Sequence, residues 1–176
     1  MNQKLINAVS RLVKFAPPLL AEHFRPDCCI AATRVACGVL NKLGFDARPQ
    51  PAQLTVYTKK LWKRVENQTF GAPFLPGEWS VGVGFGEDPR STKGYAGHLV
   101  ALCDFLLIDL SIGQASRPAK GIVLPPALFI PYHKFQINGC VLLYGSIDNL
   151  KYTESPDWTD ASRTEPIIEE LLSLIK

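Results

Sequence analysis

The chain has no Cys-x-x-Cys pair, and its five cysteines, Cys28, Cys29, Cys37, Cys103 and Cys140, are odd in number. That pattern argues against a disulfide framework and a structural zinc site, and it suits a reducing cytoplasm. No run of Lys and Arg with interleaved aromatics occurs; the formal charge of +3 is spread along the chain, which argues against a nucleic-acid partner. Near the amino terminus Lys4, Arg11 and Lys14 interrupt the apolar residues, so this segment reads as neither a secretory signal nor a membrane span. Repeats and low-complexity stretches are lacking too. With 47% hydrophobic residues among 176 and no obvious point of division, the expectation is a single cytoplasmic domain over residues 1–176, with a full core and no membrane partner.

What is present is organised around the stretch from Arg25 to Arg48, RPDCCIAATRVACGVLNKLGFDAR. Pro26 and Asp27 supply a helix start signal, and Cys28 and Cys29 fall in the first turn. Ala32, Val35, Ala36, Val39, Leu40 and Leu43 recur at helical spacing as an apolar stripe, and Gly44 is the expected stop. A buried helix thus delivers a thiol to its own amino end, where the dipole and the free amides favour a thiolate, the nucleophilic form. Ahead of it, Leu5, Ile6, Val9, Leu12 and Val13 mark an amphipathic helix, expected to end at Pro17 and Pro18.

Beyond the central helix, Gln53 to Tyr57 alternates like a strand, and Lys59 to Asn67 reads as a short surface helix. Thr69 to Glu78 is a loop by its Pro and Gly content. Trp79 to Gly86, WSVGVGFG, superficially resembles a nucleotide-binding glycine loop, but its glycines sit two apart in a strand with no helix pattern behind them. It reads instead as a strand with one bare face, open to close approach by another backbone or a substrate.

The second informative stretch is Gly94 to Arg117, GYAGHLVALCDFLLIDLSIGQASR. Leu99 to Cys103 and Leu106 to Leu110 form a hairpin turning at Asp104 and Phe105, which brings Asp109 beside His98. An imidazole held by a carboxylate keeps one nitrogen ready to accept a proton from a nucleophile. Pro125 and Pro126 break Ile122 to Ile130 into an edge segment or loop, Cys140 to Tyr144 is a buried strand, and Thr164, Glu165 and Pro166 start a terminal helix running through Ile175. His133 has no identifiable partner.

These features together resemble the transglutaminase-like and arylamine N-acetyltransferase-like branch of papain-fold cysteine enzymes. The resemblance rests on a cysteine in a helix followed by Leu-Gly-Phe-Asp-Ala-Arg, then Gly-His-Leu-Val and Ile-Asp-Leu strands, over about Arg25 to Gln114. It implies an α+β fold with the nucleophile helix packed on an antiparallel sheet, and a Cys, His, Asp order matched by Cys29, His98 and Asp109. In that pattern the Leu-Gly pair follows the cysteine by fourteen and fifteen places, which fits Leu43 and Gly44 counted from Cys29 and leaves Cys28 as the alternative nucleophile. Oxyanion donors are sought in the Cys29 amide and in His23, six places upstream, where papain-like peptidases commonly carry a glutamine. Gln114 is a candidate to orient substrate or cap its loop.

The expected activity is acyl transfer through a thioester on a peptide, protein or small acyl substrate, with no metal and no cofactor. Hydrolysis of an amide or isopeptide bond stands ahead of transfer to an amine. A non-catalytic binding module on the same fold is the competing class.

Overall fold

A computed structural model describes residues 2–25, 28–69, 73–85, 95, 97–131 and 134–175, with the backbone alone at Lys134. The expectations at Pro26, Asp27, Gly86 and His133 lie outside the described residues.

Helices α1 (Gln3–His23), α2 (Cys29–Lys42) and α5 (Glu165–Ile175) pack against one face of an antiparallel sheet, while α3 (Lys59–Glu66) and α4 (Pro156–Thr159) are short connectors. The architecture is therefore α+β. Helix α1 runs straight through Pro17 and Pro18 to His23, contrary to the stop expected there. Two prolines remove two helical N–H donors, but Ala16 and Leu20 are buried and extend the inward stripe of Leu5, Val9 and Leu12 on either side of them. Packing thereby outweighs the local penalty. Helix α2 ends as its sequence indicates, with Leu43 at the cap and Gly44 at φ +86° in the left-handed region.

Seven strands are described, β1 (Ala47–Thr58), β2 (Ser80–Val83), β3 (His98–Cys103), β4 (Leu106–Asp109), β5 (Leu128–Pro131), β6 (Lys134–Ile137) and β7 (Cys140–Ser146). Their order is β5-β4-β3-β1-β7-β6, with β2 on β1. The two end strands, β5 and β6, are consecutive in the chain with two residues between them, so the sheet curls into a nearly closed barrel. The first half of β1 pairs with β3 and its second half with β2, while β7 lies along the other side. Where β2 gives way to β3, Gly84 sits at φ +83°, and a Cβ there would meet His98 N at 2.6 Å. The bare strand face read from the sequence is, at this position, a close approach of backbone to backbone.

Side-chain alternation sorts the sheet into two cores. Ala101, Cys103, Leu106 and Ile108 face the helices, whereas Val100, Leu107, Leu142 and Tyr144 fill the barrel. By the same alternation His98 falls with Val100 and Asp109 with Leu107, on the barrel side. No helix among the described residues is long and apolar enough to cross a membrane.

Candidate active site

Cys29 is the first residue of α2, with Cys28 at the cap position and no side chain capping it. The first amides of an α-helix have no carbonyl partner inside the helix, so the backbone at Cys29 presents donors beside the sulfur. Cys29 is buried against Leu99 and Tyr152, with Tyr95 and Trp158 packed alongside. Tyr152 stands edge-on to both Tyr95, at 6.0 Å between ring centroids, and Trp158, at 4.9 Å. One turn further along α2, the buried Thr33 hydroxyl donates to the carbonyl of Leu99 at 2.8 Å.

The β3–β4 hairpin has the register Ala101↔Ile108 and Cys103↔Leu106, with Asp104 taking the left-handed conformation at φ +53° in its turn. Extending that register sets Asp109 across from Val100, diagonal to His98 on the same face, within reach for such side chains. His98 Nε2 lies 2.6 Å from Asp109 Oδ2, and both residues are buried. A carboxylate only accepts, so Nε2 carries the proton and donates. That leaves Nδ1 as the ring nitrogen available to Cys29, whose proximity helps to raise His98. Cys29, His98 and Asp109 are thereby brought together in the order read from the sequence.

Each oxygen of Asp109 takes two donors. Oδ2 accepts from His98 and from the Tyr144 hydroxyl at 2.9 Å; Oδ1 accepts from the Ser111 amide at 2.9 Å and the Ser111 hydroxyl at 3.2 Å. Burial alone would lower His98, but the charge and hydrogen bond of Asp109, with the contact to Cys29, raise it from 6.5 to about 10. Burial would raise Asp109, yet the charge and hydrogen bond of His98, the Ser111 amide and the Tyr144 hydroxyl hold it below its ordinary value. Burial and the adjacent Asp109 push Tyr144 well above 10, so it stays a protonated donor. Asp109 thus favours the imidazolium, the form His98 takes on accepting a thiol proton.

Tyr144 and Ser111 were not singled out from the sequence. A signal for Tyr144 exists: it alternates with Leu142 and Cys140 on the inward face of a buried strand, where a phenol needs a hydrogen-bond partner. The Gln114 side-chain nitrogen, on a 3-10 turn over Ile112–Ala115, lies 3.1 Å from His98 Nδ1. Gln114 therefore touches the imidazole on the nitrogen that Asp109 leaves free. His23 stands exposed in the last turn of α1 and takes no part in this hydrogen-bonded chain.

Cys28 is half-buried and lines a cavity that Gln114 also lines. The other thiols sit in the core. Burial, with the nearby Cys103, pushes Cys37 up to about 12; burial, with Asp104 and Asp46, pushes Cys103 up to about 11; burial raises Cys140 as well. Such thiols are inert near neutral pH. Among the described residues, no three His, Cys, Asp or Glu side chains are grouped so as to hold a metal ion. No protein-family model, curated protein or solved structure matches this chain.

Proposed function

We propose that this protein is a thiol-dependent acyl-transfer enzyme that hydrolyses an amide or isopeptide bond through a thioester on Cys29, on a papain-like, transglutaminase-like fold. The observation that carries the reading is the buried His98–Asp109 pair, with His98 Nε2 at 2.6 Å from the carboxylate and Cys29 close enough to raise His98. In the first half-reaction the Cys29 sulfur attacks the acyl carbon as its thiolate, with the His98 imidazolium holding the thiol proton beside it. The amides at the start of α2 receive the developing oxyanion. His98 returns the proton to the leaving amine. In the second half-reaction His98 draws a proton from water, hydroxide adds to the thioester carbon, and the thiol is released. An amine in place of that water would give transfer instead, through the same thioester.

Alkylation tests the reading. At about pH 7.5 iodoacetamide is expected to label one site rapidly, with Cys29→Ala abolishing the label and Cys28→Ala retaining most of it. The three core thiols remain unlabelled in the folded protein. Label that persists in Cys29→Ala and vanishes in Cys28→Ala reverses the choice of nucleophile; slow labelling of both overturns the enzyme reading.

A further inference from the structure

We propose that the cavity of about 210 Å³ beside Cys28 and Gln114 is the acyl subsite of the thiol centre, taking an apolar acyl tail of single-ring size or about six to eight carbons. The proposal deepens the acyl-transfer reading and rests on it for the identity of the reacting atom.

Position ties the cavity to the chemistry. Gln114 lines it while its side-chain nitrogen lies 3.1 Å from His98 Nδ1, and Cys28 lines it one residue before Cys29. Cys29 and His98 are not in the lining, so a tail seated in the cavity would reach the thiol with its carbonyl end projecting past Cys28 and Gln114. One wall is α1 at and beyond the expected stop, through Pro17, Leu20 and Ala21, with Phe24 at its cap. Had the helix ended at Pro17, this wall would be missing. Leu110, Gly113 and Pro126, from the segment between β4 and β5, line it as well. The walls are apolar, so binding there is driven by removing hydrocarbon from water.

Size and charge narrow the occupant. An apolar cavity of about 150 Å³ is enough for benzene, so this one accommodates a benzoyl, hexanoyl or octanoyl group and cannot enclose a long fatty chain. Among the described residues that line it there is no carboxylate; Arg25, two residues beyond the end of α1, is exposed. An amine-bearing tail finds no counter-charge among these described residues, whereas a neutral tail meets a mostly apolar wall.

Para-nitrophenyl acetate and para-nitrophenyl hexanoate serve as probes. Sulfur–carbon bond formation breaks the ester carbon–oxygen bond, para-nitrophenolate leaves with the electron pair, and the thiol proton passes to His98. Intact mass reports the acyl adduct on Cys29, and its absence in Cys29→Ala assigns it. Hexanoyl transfer is expected to be at least about tenfold faster than acetyl transfer, from burial of its additional methylenes. Ala21→Trp, at an exposed position that faces the cavity, should bring that ratio close to one, with circular dichroism confirming the fold. Equal wild-type rates, or a preference that survives Ala21→Trp, overturn the proposal.

A second arm needs no chemistry. Hexanoate titrated into Cys29→Ala is expected to saturate and acetate not to; in Cys29→Ala combined with Ala21→Trp, hexanoate binding should be lost. Saturable hexanoate binding without any acylation of the wild type upholds the cavity and overturns the acyl-transfer reading. Acylation of Cys29 with no chain-length preference and no hexanoate binding upholds that reading and overturns the subsite.

Discussion

The Thr33 hydroxyl donates to the Leu99 carbonyl at 2.8 Å, joining the helix one turn beyond Cys29 to the strand one residue beyond His98. Cys29 and His98 come from different elements, so the sulfur-to-imidazole geometry depends on how α2 slides and rotates against β3. This buried bond pins that register. Thr33→Val keeps the volume and the β-branch but leaves the carbonyl without this donor, at a cost of about 2 kcal/mol. For a chain of this size that corresponds to a midpoint roughly 4–8 °C lower. Calorimetry checks the midpoint, and iodoacetamide kinetics at Cys29 should slow in the same variant. A lower midpoint with unchanged kinetics would show that the bond stabilises the interface without setting the site.

The second expectation concerns pH. His98 is raised in the folded protein from 6.5 to about 10, so its contribution to stability is whole below about 6.5 and is lost as pH rises through about 10. Asp109 is lowered from 3.8, so its contribution is present above about 3.8 and is lost as pH falls through its folded value. The two windows overlap from about 4 to 6.5. The gap in thermal midpoint between wild type and Asp109→Asn should be widest there and narrow toward pH 10. Breaking a buried pair costs about 3 kcal/mol, or roughly 6–12 °C in a chain of this length. The asparagine amide also turns a donor toward Nε2, which favours the tautomer with its proton on Nδ1, the nitrogen needed as base. Alkylation near neutral pH should slow accordingly. A gap that stays constant from pH 6 to 10 would rule out the charged pair.

The parts of the site legible in the sequence are the local ones. Helical spacing from Ala32 to Leu43 and a two-residue turn at Asp104 and Phe105 each depend on neighbours in the chain, and together they carry Cys29, His98 and Asp109. What escaped depends on contacts between distant segments. Tyr144 meets Asp109 across 35 residues, and only the nearly closed barrel brings β7's inward face to β4's. Pro17 and Pro18 inside α1 were misread because propensity says nothing of Leu20's burial. The first half of β1 was missed for a related reason: Pro49 and Pro51 weaken any strand signal, yet both lie in the stretch paired with β3. Strand β6 had a readable sign in Asn138-Gly139, which takes left-handed conformations at φ +48° and +74° between β6 and β7.

The last expectation turns on Gly84, where steric fit and backbone strain can be separated by a matched control. Gly84 and Gly121 both have left-handed backbones, at φ +83° and +73°, so alanine at either carries conformational strain of about 1–2 kcal/mol. Their surroundings differ. A Cβ at Gly121 would meet nothing within 4 Å, whereas one at Gly84 would lie 2.6 Å from His98 N, 2.9 Å from Gly97 C and 3.0 Å from Ala52 O. All three are backbone atoms of the β1–β3 junction, which cannot yield as a flexible side-chain tip does. Relieving the clash must move the start of β3, and the 2.6 Å bond from His98 to Asp109 moves with it. Gly121→Ala should therefore lower the midpoint by roughly 2–8 °C and leave alkylation of Cys29 at the wild-type rate. Gly84→Ala should lower the midpoint further and slow alkylation about tenfold or more, since a displacement on the order of 1 Å at a catalytic group can cost up to about a hundredfold. Equal effects of the two substitutions on both readouts would mean that strain alone matters at Gly84 and that His98 is positioned independently of it.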